Sequence, residues 1–179
     1  MAKFYNKLTT RLQKFISNQK IFFVATAPQE GRINLSPKGM DSLRVVGDNR
    51  VLWLNVTGSG NETAAHILEN PRITIMMCSF EGAPNILRIY GKGRAIHPGD
   101  EDWIKVVGLF PETPGTRQIF DITVESAQTS CGMSIPFFEY KGEREELNDW
   151  AREKGKEGIE QYWQEKNLTS IDGKSTGLQ

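Results

Sequence analysis

The sequence predicts a mainly β protein with flanking helices, arranged as a small antiparallel barrel. Three observations carry that reading. Six or so short runs are rich in apolar and β-branched residues, turn chemistry separates them, and few stretches hold a helical period for long. Closing such strands into a barrel removes the unpaired sheet edges that would otherwise invite aggregation.

The elements follow in order. From Lys3 to Ser17 the apolar positions Phe4, Leu8, Leu12, Phe15 and Ile16 recur at steps of three and four, which predicts an amphipathic helix. Ile21–Thr26 is short, apolar and β-rich, a buried strand, and Pro28-Gln29-Glu30-Gly31 turns it into a returning strand that starts at Arg32–Leu35. Leu43–Val46 and Val51–Asn55 flank Gly47-Asp48-Asn49-Arg50 as a hairpin. Arg72–Ser79 and Ile86–Ile96 are two more strands around the turn Glu81-Gly82-Ala83-Pro84, and Gln118–Gln128 is another. Helices are expected over Gly60–Glu69, stopping before Pro71, and over Asp100–Leu109, broken by Pro111 and Pro114. After Pro136 the composition changes. Lys141–Lys166 is highly charged and helical, with Trp150, Ile159, Tyr162 and Trp163 as docking residues, and the Gly-, Ser-, Thr- and Asp-containing last dozen residues are expected to fray. The chain thus divides into a barrel domain, residues 1–140, and a charged helical extension with a frayed tail, residues 141–179.

Composition narrows the function. Lysine plus arginine and aspartate plus glutamate both number 22, so there is no cationic surplus to drive general nucleic-acid binding. No apolar run approaches the ~20 residues of a membrane span. The first residues lead into an amphipathic segment and lack the apolar run and small-residue cleavage site of a signal peptide. Cys78 and Cys131 are far apart and read as reduced thiols of a cytoplasmic protein, and with only His66 and His97 they supply no metal-ligand set. Cys78 and His66 read as core or partly buried residues, His97 as a loop residue and Cys131 as a structural thiol.

Two segments carry chemistry. Thr57-Gly58-Ser59-Gly60-Asn61-Glu62-Thr63 follows a strand and opens a helix. Ser59 and Glu62 have capping-box spacing, while the glycines allow a tight turn with exposed amides, so the segment suits a phosphate. Alone, it equally describes a well-capped helix after a loop. In Arg32-Ile33-Asn34-Leu35-Ser36-Pro37-Lys38-Gly39, a hydroxyl and an ammonium stand where a strand meets Pro37, which cannot donate to a ladder. Alone, this equally describes a solvated edge.

Together these residues resemble a known family. Asn34–Gly39, Trp53-Leu54-Asn55, Gly58–Ala64 and Asn70-Pro71-Arg72 are similar, in order and spacing, to the FMN-binding core of the pyridoxamine 5′-phosphate oxidase-like proteins. Arg88–Arg94 resembles the next family strand, and Thr129–Pro136 a segment of one uncharacterised branch. The resemblance covers residues 15–140 and implies a six-stranded antiparallel split β-barrel, a homodimer, and FMN at the subunit interface. Carried over by position, it implies that Asn34, Leu35, Ser36 and Lys38 line the isoalloxazine and ribityl chain, with Trp53 and Leu54 beside the flavin. Ser59, Asn61 and Thr63 would hold the phosphate, and Arg88 would reach the partner subunit's flavin.

The departures are specific. The oxidase proper has an Arg-Lys pair at the phosphate turn, where this chain has Asn61-Glu62, so Lys38 or an arginine of the partner must supply the charge. The oxidase's Arg-x-His substrate motif has no counterpart, because no histidine follows His97. The resemblance therefore implies a flavin-dependent oxidoreductase of another small molecule and not pyridoxamine-phosphate oxidation. No side-chain acid or base stands out, as suits chemistry carried by the flavin. The alternatives are a flavin-storing module without turnover, and a deazaflavin or haem in place of FMN.

Overall fold

In the computed structural model, which describes residues 2–178, the chain runs β1 (Lys3–Tyr5), α1 (Thr10–Asn18), β2 (Phe22–Thr26), β3 (Asn34–Lys38), β4 (Leu43–Val45), β5 (Arg50–Val56), α2 (Glu62–Glu69), β6 (Arg72–Cys78), β7 (Ile86–Ile96), α3 (Trp103–Val107), β8 (Thr116–Ser130) and α4 (Glu146–Lys166). All pairings are antiparallel, in the order β3-β2-β6-β7-β8-β5-β4, with β1 added on β8. The sheet curls into a barrel that stays split between β3 and β4, which follow one another in sequence yet do not pair. The link between them turns through Met40 and Asp41, both left-handed (φ 63° and 51°), a conformation that disfavours non-glycine residues.

The fold class is the one expected, with eight strands in place of six. The added β1 lies where a helix was predicted. Thr9, extended and with its Oγ1 accepting from the Leu12 amide, caps α1 and so prevents the helical period from reaching back to Phe4. Leu8, Leu12 and Ile16 then pack into the barrel's core.

Alternation along the strands builds two cores. Val51 and Trp53 of β5 face the barrel interior, where Trp53 stacks on Phe120 (centroids 4.8 Å apart) and meets Phe22 edge-on. Leu52 and Leu54 face the other way, into a second cluster with Ile96, Val106, Phe110 and Ile119 beside α3. β8 serves three partners and is bent by register shifts opposite β7 and β5. At the first shift Gly91 is required by contact: a Cβ there would lie 2.3 Å from the Thr123 carbonyl oxygen.

The C-terminal segment differs from expectation in two ways. The predicted helix starts at Glu146 and is broken at Gly155 (φ 64°, ψ 177°). The tail is folded, not frayed. Thr169 bridges to Ser175, the Thr176 hydroxyl donates to the Asn167 carbonyl (2.7 Å), Arg32 pairs with Asp172, and Lys174 with Glu69. Arg32 and Glu69 are distant from the tail in sequence, so local composition did not reveal the order they impose.

Candidate functional site

β3, β5, the turn 57–61 and the first residues of α2 enclose a cavity of about 250 Å³. The period of two selects its walls. Asn34, Ser36 and Lys38 of β3 face it, as do Trp53 and Asn55 of β5. Ser59, Asn61 and Thr63 complete the rim from the turn and helix. The Asn34 amide donates to Thr63 Oγ1 (3.2 Å), joining strand to helix.

A buried part of the wall is Arg117, which the sequence reading missed. Asn55 pairs with Gln118 and Val56 with Thr116, so Arg117 is the extra residue of a β-bulge. A regular strand would send residues 117 and 118 to opposite faces; the bulge lets both reach Asn55 Oδ1. Arg117 is 2% exposed. It donates to Asn55 Oδ1 (2.8 and 3.2 Å), Asn167 Oδ1 (2.5 Å) and the Gly60 carbonyl (3.2 Å). Every one of these acceptors is neutral. The available signal was the polar run Thr116-Arg117-Gln118, which breaks alternation at the head of an apolar strand.

Electrostatics concentrates positive charge here. Burial pushes the Lys38 ammonium down to about 8, with Arg117 adding like-charge repulsion. Its Nζ stands 5.3 Å from the Trp53 ring centroid. Burial likewise lowers Arg117 to about 10. Neither cation pairs with a carboxylate among the described residues. Glu62, the one acid on the rim, is occupied by the tail: its carboxylate accepts from the Ile171 amide (3.0 and 3.2 Å). The Ser59–Glu62 capping box is therefore not formed. Asn61 occupies the N-cap without a side-chain cap bond, leaving the positive end of α2 turned to the cavity.

The turn's glycines act differently from expectation. Neither Gly58 nor Gly60 takes a left-handed φ. A Cβ on Gly58 would meet nothing within 4 Å, so glycine there leaves open space beside the cations. Asn61 Nδ2 in this wall, and Oε1 of Gln118 behind it, are buried without a partner among the described residues.

Seven of the ten residues singled out from sequence thus line one cavity: Asn34, Ser36, Lys38, Trp53, Ser59, Asn61 and Thr63. Three do not. The Leu54 side chain lies on the opposite face of β5, in the α3 cluster, because neighbours on a strand alternate. Leu35, between two inward residues of β3, points outward and is 65% exposed. Arg88 on β7 bonds Ser130 Oγ (3.2 Å) away from the cavity. His66 is fully buried, with Nδ1 3.0 Å from Thr26 Oγ1, and neither it nor His97 lines the cavity. Cys78 is buried, which raises its thiol, and Cys131 is exposed. Lys38 also borders a larger groove of about 1410 Å³ with Phe15, Ile21, Phe80, Phe138 and Tyr140 among its walls.

Comparison with known proteins decides the family. The sequence model described as pyridoxamine 5′-phosphate oxidase matches residues 8–131. The chain belongs to the pyridoxamine 5′-phosphate oxidase family. The match spans β2 to β8 and every residue that lines the cavity, while Asn167, which holds Arg117 from behind, lies outside it. A relative from Aspergillus flavus, the pyridoxamine 5′-phosphate oxidase family protein ustO, is 36% identical over 145 residues. That alignment covers 78% of this chain and 58% of the relative, so the chain spans little more than half that protein's length. Solved structures share the fold. A Lactobacillus delbrueckii protein described provisionally as a pyridoxamine 5′-phosphate oxidase has a TM-score of 0.55 at 21% identity, covering 69% of this chain and 94% of its own. HutZ, described as the heme storage protein of Vibrio cholerae, has a TM-score of 0.52 at 19% identity, covering 71% and 98%. A HupZ variant from Group A Streptococcus has 0.53 at 22%, covering 69% and 99%. No helix among the described residues is long and apolar enough to cross a membrane.

Proposed function

We propose that this family member binds FMN with its phosphate in the Lys38–Arg117 cavity and serves as a flavin-dependent oxidoreductase. The observation that carries the reading is a buried guanidinium held only by neutral acceptors, with a desolvated ammonium in the same cavity. A buried charge without a counter-charge is costly, and a phosphate dianion is the ligand that relieves it. The unpartnered Asn61 amide, the open space at Gly58 and the uncapped α2 terminus fit the same group.

Each residue has a part. Arg117 and Lys38 neutralise the phosphate. Ser59, Asn61 and Thr63 donate to its oxygens, and Asn34 and Ser36 bond the ribityl hydroxyls along β3. Trp53 forms the apolar floor under Lys38 and excludes water. A cavity of about 250 Å³ takes the phosphate and part of the ribityl chain. The ring then lies outside it, toward the groove that Lys38 shares and against a second subunit. The outward Leu35 and the exposed Ile33, Phe137 and Phe138 support such a homodimer. Bound FMN would supply hydride or electron transfer to a small molecule, while these residues bind and orient it. The cavity offers no histidine to a haem iron.

The test is an absorbance spectrum of the protein as purified, with the mass of whatever heat releases. Flavin bands and the mass of FMN are expected. A Soret band, or a released deazaflavin, would contradict the reading.

A further inference from the structure

We infer that the folded C-terminal tail is a working part of the phosphate site, with Asn167 the positioning residue that aims Arg117 while leaving its charge uncompensated. The inference rests on the phosphate reading above and extends it to a segment outside the family match, which ends at residue 131.

Asn167 is the C-cap of α4 and is wholly buried. Its amide is used at both ends. Oδ1 accepts from Arg117 (2.5 Å) and Nδ2 donates to the Gly58 carbonyl of the phosphate turn (3.1 Å). The second bond fixes which end of the amide meets the guanidinium, since only the nitrogen can serve a carbonyl. The residue is held in turn by the tail: the Thr176 hydroxyl donates to its carbonyl, and the Thr176 amide donates to the Leu168 carbonyl (3.0 Å). The tail also engages the carboxylate of Glu62, the acid on the cavity rim, through the Ile171 amide. From α4, Trp163 Nε1 donates to Thr57 Oγ1 (2.7 Å), where the turn begins.

The chemistry at position 167 is selective. A carboxylate would orient Arg117 as well as the amide does, yet would neutralise it and compete with an incoming anion. It would also face the Gly58 carbonyl without a proton to offer. An amide orients without neutralising. The extension therefore acts on anion recognition, through the aim of Arg117 and its hold on the Glu62 carboxylate, and not solely as a cover for the barrel.

The experiment compares the full-length parent with Asn167→Asp and Asn167→Ala, titrating each with FMN and with riboflavin and following thermal unfolding. Asn167→Asp is expected to weaken FMN by about tenfold or more while riboflavin changes by less than about twofold. Backbone hydrogen exchange of the parent supplies an independent readout: residues 167–176 should slow with FMN and not with riboflavin. Equal weakening of both ligands, or unchanged affinities with no FMN-specific protection of the tail, would overturn the inference and leave the phosphate reading intact. A parent that binds FMN no better than riboflavin would overturn both.

Discussion

Replacing Lys38 by methionine should stabilise the empty protein and cripple FMN binding at the same time. The folded-state value of about 8 against the ordinary 10.5 means that burial disfavours the charged form. The difference corresponds to roughly 3 kcal/mol at neutral pH, taking 1.36 kcal/mol per unit. Lys38 is only partly buried and loses its contact with Trp53 on substitution, so the gain expected in practice is about 1–2 kcal/mol. For a chain of this size that raises the melting temperature by roughly 2–8 °C. The sign with pH follows from linkage. Between about 8 and 10.5 the unfolded chain holds a proton that the folded one has released, so the parent's stability rises with pH across that window. The methionine variant lacks this rise. Ligand binding moves oppositely, because losing a charge-assisted bond to phosphate costs about 1.5–3 kcal/mol, or roughly 10- to 150-fold in affinity. Differential scanning calorimetry without ligand and flavin-fluorescence titrations on both proteins provide the assay. A variant that is less stable than the parent, has the same pH dependence and keeps parental FMN affinity would refute the reasoning.

Three further outcomes follow from the same geometry. Arg117→Met should weaken FMN by at least about tenfold and spare riboflavin, with Arg117→Lys intermediate because it keeps the charge and loses the planar fork; fluorescence titration checks the order. Light scattering at micromolar concentration should give twice the mass of one chain, and the mass of a single chain would count against a site shared between subunits. The chain should not convert pyridoxamine 5′-phosphate at enzyme-like rates, about 1 per second or faster, and matched peroxide and pyridoxal phosphate release at that rate would overturn this expectation.

How much of this was legible in the sequence depends on the range of the interactions involved. The barrel strands declared themselves through alternation, and β3, the glycine turn and α2 appeared in the right order because each is a local pattern. Gathering Asn34, Lys38, Trp53 and Asn61 around one cavity followed from that order. Arg117 was hidden because a bulge, set by pairing with β5 across more than 60 residues, decides where it points. The face taken by Leu54 was legible in principle: with Trp53 facing inward, strand period alone puts its neighbour outside. Phe4 matched a helical step yet pairs as a strand with Gln128, since Thr9 starts the helix later. The tail was misread because its order comes from Arg32, Glu62, Glu69 and Arg117, none of them near it in sequence.

The central claim is that this chain builds its own phosphate site from Lys38, Arg117 and the turn before α2. Titrating the flavin-free protein with FMN and with riboflavin, each in the absence and presence of inorganic phosphate, tests it most directly. The account predicts that FMN binds at least about tenfold more tightly than riboflavin, and that phosphate competes with FMN alone. Equal affinity for the two flavins, with phosphate affecting neither, would contradict it.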